Sequence, residues 1–468
     1  MEVIDIMVRS NIEGANSSPT VGGGATRVTE TKRILLRSHR DLRVRTSPVQ
    51  IARENLVGMN SGNLIFAHAV HRALSVSGAE IDVDYGHIEP AAAERINEQY
   101  DAHVIPLANA FRPSFQRKID LYCELIERLT IPTILVGVGV QFNPAGNNPE
   151  CLDHMLPTIH RFVRAILERS ASIGVRGEVT YRFLRSIGYS ESEVTVIGCP
   201  SLYQFGPTLN VHKSAELTTD SKLCINVSPY RTEMGPIASS HARRYPAIRY
   251  VAQDVATLRT LLYLENPADA ASMAADVPYR VSDPLIGDRR TWYFTDPTTW
   301  IDYLAKRDFS FGSRIHGNIA SLLAGTPAVV LGHDSRTVEL ADYHQIPYRL
   351  LSQASPDVDA RELFDWADYT GFNDNQQARF DTYVRFLEGN GLAHIFTQTP
   401  AATEGVSKFD NQVAHARNTR PVTRANSAEV FVRRARRRHY RKREQRRSAR
   451  LPIEAGDRTR VPVLSLEH

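Results

Sequence analysis

Residues 309 to 332, FSFGSRIHGNIASLLAGTPAVVLG, constrain the fold more than any other stretch, because they place a strand, a sharp turn, a helix and a second strand in succession. Phe309 and Phe311 alternate with small residues, as in a short buried strand. Ile315, Ile319, Leu322 and Leu323 recur at i, i+4, i+7 and i+8, the stripe of a helix with one face on a sheet. Gly325 and Pro327 end that helix, and AVVL is the continuous apolar run of a parallel strand covered on both faces. Between strand and helix stand Arg314, His316 and Gly317. A junction of this kind, at the carboxyl end of a parallel sheet, is where open α/β folds hold ligands, and the helix start offers unpaired N–H groups to an anion. An arginine there can grip a phosphate or carboxylate with two prongs, and a histidine can carry a proton near neutral pH. The same residues also fit a surface charge and a capping or core histidine, and so short a motif does not choose between the two readings.

The alternation of strand and helix extends over most of the chain. Strands are read in AEIDVDYG, HVIPL, PTILVGVGVQ, SIGV, VTVIG, LCINVS, AIRYVAQD and PYRLL. Between them lie helical patterns such as FQRKIDLYCELIERLT, Glu178 to Ile187, VATLRTLLYL, PTTWIDYLAKR and SRTVELADYHQ. Strands separated by helices of this length imply mostly parallel sheets. Arg176 and Gly177 occupy a second strand-to-helix junction, and Asn60, Gly62 and Asn63 form a small-residue turn ahead of a helix that continues to Leu74. The expected division is a flexible leader over 1–32, a Rossmann-like domain over 33–205, a linker over 206–220, a second Rossmann-like domain with closing helices over 221–400, and a polar, Arg-rich tail over 401–468. From Ala401 onward disorder is expected, with a helix through the Arg-rich run as the exception.

Charge belongs to that tail. The net charge is +4, but residues 431–450 hold 11 Lys or Arg against one Glu, so the remaining 448 residues sum to −6. Such a run suits an anionic membrane surface or a simply solvated segment, and nucleic acid is not the expected partner. The four cysteines, Cys123, Cys151, Cys199 and Cys224, are scattered without CxxC spacing, which speaks against a disulfide framework or a zinc site and for a reducing compartment. The opening MEVIDIMVRSN lacks the apolar core of a secretory signal, and the longest apolar run, IPTILVGVGV, is too short to span a membrane. A cytoplasmic protein is expected, peripheral to the inner face of the membrane where the tail engages it.

Several segments, taken in order, carry a resemblance: NSGNLIFAHAVHRAL, SIGVRGEVTYRFLRSIG followed by GCPSLY, AIRYVAQD, and FGSRIHGNIASLLAGTPAVVL followed by Arg336. Together, over roughly residues 55 to 350, they resemble the polysaccharide pyruvyl transferase family. That resemblance implies an α/β fold of two Rossmann-like domains facing a cleft, the GT-B arrangement. It also implies an enzyme that moves the pyruvyl group of phosphoenolpyruvate onto hydroxyls of a glycan, or of a lipid- or nucleotide-linked precursor, as a ketal, with release of phosphate. No cofactor and no metal are implied; phosphoenolpyruvate is the donor substrate. His316 would be the acid/base and Arg176, with Arg314, would hold phosphate and carboxylate. Gly317 and the helix start would add backbone donors, and Gly62 and Asn63 would lie across the cleft near the acceptor or phosphate. Two positions depart from the pattern: Cys199-Pro200 stands where many members have Asp-Pro, and Arg336 where a lysine is common. A GT-B glycosyltransferase using a nucleotide-sugar, and a non-catalytic glycan- or membrane-associated relative, are the alternatives. Loops at 141–152 and 267–295 are expected to bear on acceptor choice, and His68, His71, His333 and His344 are expected to be structural or solvated.

Overall fold

The computed structural model describes residues 32–142, 149–214, 216–267, 273 and 276–448. The expected flexible leader lies outside these residues but for its last position. Among the described residues twelve short strands form, most of them rich in apolar or β-branched residues. They are β1 (Lys32–Leu36), β2 (Ala79–Val83), β3 (Ala102–Pro106), β4 (Thr133–Val136), β5 (Ile173–Val175), β6 (Val194–Val196), β7 (Leu223–Asn226), β8 (Arg249–Ala252), β9 (Thr291–Tyr293), β10 (Phe309–Gly312), β11 (Ala328–Gly332) and β12 (Tyr348–Leu350).

All strand pairs are parallel, in two sheets that face a common cleft. In the first, the order β2-β1-β3-β4 is continued by the pair β5-β6, because the Val138 N–H donates to the Gly174 carbonyl at 3.0 Å and the Arg176 N–H returns to Val138 at 3.0 Å. The second sheet runs β12-β11-β10-β7-β8-β9. Counted within its own half, that order is 3-2-1-4-5-6 read from the other edge, the doubly wound arrangement of dinucleotide-binding folds. The two halves therefore share a layered plan and differ in strand order. Their switch points, where neighbouring strands lead off in opposite directions, fall between β1 and β3 and between β7 and β10.

The halves are joined by direct bonds around the cleft. The turn ahead of the helix Gly62–Leu74 pairs with the end of β8: the Ser61 N–H donates to Gln253 at 2.9 Å and the Val255 N–H to Met59 at 3.1 Å. On the other side the helix Ser335–His344 docks on the first half. Its Glu339 accepts from the Thr180 N–H at 2.6 Å, and its buried His344 accepts from the Cys199 N–H at 2.8 Å. One continuous apolar core, from Ile34 through Leu223 to Phe386, runs beneath both sheets.

Sequence periodicity missed the strands β1 and β9, the helices Pro48–Glu54, Met234–Arg244 and Pro284–Gly287, and the helix Pro400–Ala416. The last corrects the expectation of disorder from Ala401. Thr399 caps this helix, Phe409 stacks against His71 at 4.7 Å and His68 at 5.5 Å, and Asp410 pairs with Arg72 at 2.7 Å. His68 and His71 are thereby structural, as read. The helix Gln376–Gly389 also returns to the first half, where Gln376 donates to the Leu202 carbonyl at 2.8 Å. The expected helix through the Arg-rich run is present as Ser427–Ser448. No helix among the described residues is long and apolar enough to cross a membrane.

Candidate active site

The β7/β10 switch point opens into a cavity of about 380 Å³ bounded by both halves. Strand β10 ends at Gly312, and the chain turns through Ser313 and Arg314 into the helix Ile315–Leu323. Asn226, at the end of β7, fixes that turn: its Oδ1 accepts the Arg314 N–H at 2.7 Å and its Nδ2 donates to Asn318 at 2.9 Å. His316 sits in the first turn with Nε2 3.8 Å from the Cys199 sulfur. Gly62 packs on it so closely that a Cβ there would lie 2.7 Å from the His316 Cβ. Burial, then Arg176 and Arg336, push the His316 imidazole down to about 4.

Arg176 enters from the first half, just past β5, and is 4 % exposed. Burial pulls its guanidinium down to about 10, and the facing Glu339 carboxyl opposes that shift. Glu339 itself is raised to about 7 by burial, with Arg176 and Thr180 holding it back. Arg314 pairs with Asp254, and Arg336 with Asp334, to which its Nε donates at 2.8 Å. Burial alone would raise the Asp334 carboxyl, but Arg336, His333 and the Thr337 N–H override it and hold it below the usual range. Both arginines reach the cavity with part of their donor capacity already spent.

The other expected residues have more specific placements. Asn63 lines the cavity, but its Nδ2 is committed to the Val57 and Gly58 carbonyls at 3.1 and 2.9 Å, so it shapes the turn. Gly317 is corrected as a backbone donor, because its N–H donates to the Arg314 carbonyl at 3.0 Å. What its position demands is the absence of a side chain: a Cβ would stand 2.6 Å from the Gln253 amide nitrogen and 2.8 Å from Asn226. The N–H groups of Ile315 and His316 are the ones that open the helix.

Among the lining residues to which the sequence reading assigned no site role are Arg112, Arg231, Gln253 and His333. His333, expected to be structural or solvated, lines the cavity, with burial pushing it down to about 4. Gln253 is 1 % exposed, and neither atom of its amide has a hydrogen-bond partner. Among the described residues no side-chain hydrogen bond holds Arg112, Arg176 or Arg231, and the Nε atoms of Arg112 and Arg176 are buried without partners. Buried polar groups are rarely left this way, so two arginines and an amide with unmet buried atoms around one cavity, with the half-buried Arg231 beside them, mark it as built for a polar, anionic ligand. Only the AIRYVAQD segment, already singled out, pointed toward Gln253. No described residue of 141–152 or 267–295 lines the cavity.

Known structures show only remote likeness. A UDP-GlcNAc 2-epimerase of Methanocaldococcus jannaschii, in complex with UDP-GlcNAc and UDP, is 10% identical over 76% of this chain and 99% of its own, with a TM-score of 0.38. The Neisseria meningitidis UDP-GlcNAc 2-epimerase, bound to UDP-GlcNAc, is 10% identical over 82% of this chain and 100% of its own, at a TM-score of 0.36. No curated protein matches the chain in sequence. The family comparison is more direct: the polysaccharide pyruvyl transferase pattern matches residues 60–335, more than half of the chain and a span that includes Arg112, Arg176, Arg231, Gln253, Arg314 and His316, and the chain belongs to that family.

Proposed function

We propose that the chain transfers the pyruvyl unit of phosphoenolpyruvate onto two hydroxyls of a sugar, in a polysaccharide or its precursor, forming a ketal and releasing phosphate. The observation that carries this reading is the gathering of five arginines, Arg112, Arg176, Arg231, Arg314 and Arg336, around one cavity with His316. Arg314 and Arg336 are matched by aspartates and Arg176 faces the Glu339 carboxyl, so Arg112 and Arg231 supply most of the net positive charge. Phosphoenolpyruvate carries a carboxylate and a phosphate close together and needs such a set. Gln253, with donor and acceptor both unmet, suits a sugar hydroxyl, which also donates and accepts.

Burial and two arginines favour the neutral His316 imidazole; a bound anion offsets those arginines and draws a proton onto it. That proton passes to the methylene carbon, whose double-bond electrons form the new C–H bond and leave C2 electron-poor. A sugar hydroxyl adds to C2 and returns its proton to the imidazole. The C2–O bond to phosphate then breaks, and the second hydroxyl closes the ketal. Of the two hydroxyl protons, one ends in the new methyl group and the other on hydrogen phosphate. The arginines stabilise the departing phosphate where water is largely excluded.

The test is phosphate release from phosphoenolpyruvate over a panel of sugar acceptors, beside the His316→Ala variant. Release that needs an acceptor and is lost in the variant supports the reaction. Calorimetric binding of nucleotide-sugars with none of phosphoenolpyruvate would sink it and favour glycosyl transfer.

A further inference from the structure

The helix Ser427–Ser448 has, over residues 430–437, one face held and one face exposed. Val430 is buried, and Arg433 and Arg434 donate to the Leu262 and Tyr263 carbonyls at 3.3 and 2.8 Å. Arg437 pairs with Glu265 at 2.9 Å and lies over the Tyr263 ring. These contacts cap the carboxyl end of the helix Val255–Tyr263, whose other end, at Val255 and Ala256, lines the cavity. On the free face stand Phe431, 74 % exposed, Val432, 46 % exposed, and the exposed Ala435 and Arg436. Phe431 is the most exposed large apolar side chain among the described residues. The helix then continues to Ser448 through RHYRKREQRRS, with six Lys or Arg against one Glu.

We propose that this helix is a docking surface for an anionic lipid bilayer. An apolar cluster followed by a dense basic run is the composition that lies in a membrane interface, with aromatic and aliphatic groups among the acyl chains and arginines on lipid phosphates. Nucleic acid would satisfy the arginines, but valine and alanine beside the phenylalanine make a poor stacking platform for bases. The nine-residue helix Val255–Tyr263 spans roughly 13 Å at the usual rise, so docking brings the cavity near the membrane surface, where a lipid-linked sugar is presented.

Flotation of the full chain with vesicles tests this surface alone, so its outcome is separate from that of the phosphate-release assay. The chain should float with phosphatidylcholine vesicles containing phosphatidylglycerol, not with phosphatidylcholine alone, and raised salt should weaken binding. Each basic residue near the surface contributes roughly fivefold, so joint Arg441→Glu, Lys442→Glu and Arg443→Glu substitution should lower partitioning more than about tenfold. Phe431→Ser should lower it several-fold at an unchanged melting temperature. No binding to anionic vesicles, equal binding by both variants, or an oligonucleotide that binds tighter than the vesicles and is indifferent to Phe431→Ser would each overturn the proposal.

Discussion

At the β1/β3 switch point of the first sheet, Arg37 donates through Nε to the Tyr122 hydroxyl at 2.9 Å and through a terminal nitrogen to the Pro106 carbonyl at 2.8 Å. Asp84 beside it accepts the Ser38 and Gly86 N–H groups at 3.0 and 2.8 Å, and the His39 ring is closed in by Gly58 and Gly86. At the β7/β10 switch point of the second sheet the same kinds of side chain are gathered with bonds left over. Arg231 comes from the segment after β7, Arg112 and Arg176 reach in from the first half, and none makes a side-chain hydrogen bond among the described residues. Both edges are places where a doubly wound sheet offers a crevice. The first edge spends its arginine on its own hydroxyl and carbonyl, with the Asp84 Oδ2 left unmet, whereas the second keeps arginine donors unspent, and that difference, more than the presence of charge, separates a structural cluster from a site.

The largest expected effect falls on the open edge. His316→Ala should lower phosphoenolpyruvate-dependent phosphate release by about 10² to 10⁴, the usual worth of general acid/base help. A loss below about tenfold would remove His316 from the reaction. The paired arginines give a sharper contrast. Arg176→Met should reduce kcat/KM for phosphoenolpyruvate by about 10- to 100-fold, since a charge-assisted hydrogen bond contributes about 1.5–3 kcal/mol. Arg37→Met should instead cost about 1–3 kcal/mol of stability by stranding the Pro106 carbonyl, and leave kcat/KM of the folded enzyme unchanged. Reversal of the two outcomes would collapse the distinction.

Gly86→Ala tests the filled edge from the other side. A Cβ there overlaps the His39 ring and sits at φ +75°, so denaturant titration should show a loss of about 1–3 kcal/mol. In pH dependence the two edges look alike in the protein alone. Burial pushes His39 down to about 3 and His316 and His333 to about 4, from an ordinary 6.5. At these three rings the folded chain binds fewer protons than the unfolded one below 6.5, so their contribution to stability falls as pH falls from there to about 4, opposed by Asp84 and Glu339, which burial raises to about 6 and about 7. Phosphoenolpyruvate should separate them: proton uptake on binding near pH 6, read by calorimetry in buffers of different ionisation enthalpy, is expected in the wild type and absent in His316→Ala. The smallest effect is expected from Cys199→Asp, which sets a carboxylate near His316 and should move the pH–rate profile up by about one unit.

Much of the open edge is legible in the residues. Arg176, Arg314 and His316 stand at strand-to-helix junctions, and the periodicity that reveals the strands also locates the junctions. Arg112 and Arg231 sit in irregular segments, between β3 and the helix Gln116–Ile126 and after β7, where an arginine looks like any surface charge. Gln253 and His333 follow strands β8 and β11, and nothing local says that one keeps an unbonded amide. The helix Pro400–Ala416 was missed for a related reason: its buried residues, Ala402, Phe409 and Val413 among them, are too sparse to mark an apolar stripe until His68 and His71 are beside them.

By itself the sequence determined a parallel α/β chain in two halves, the two arginine-bearing junctions and the basic helix, because strand and helix periods and charge runs are properties of neighbouring residues. The tertiary structure alone decided the strand orders, the pairing of residues 59–61 with 253–255, and the docking of Ser335–His344 on Thr180 and Cys199. Those contacts join segments far apart in the chain, and they depend on how two sheets bury one shared core. The same packing brings Arg231 beside Arg112, Arg176 and Gln253 around a single cavity, the last three with buried atoms that lack partners.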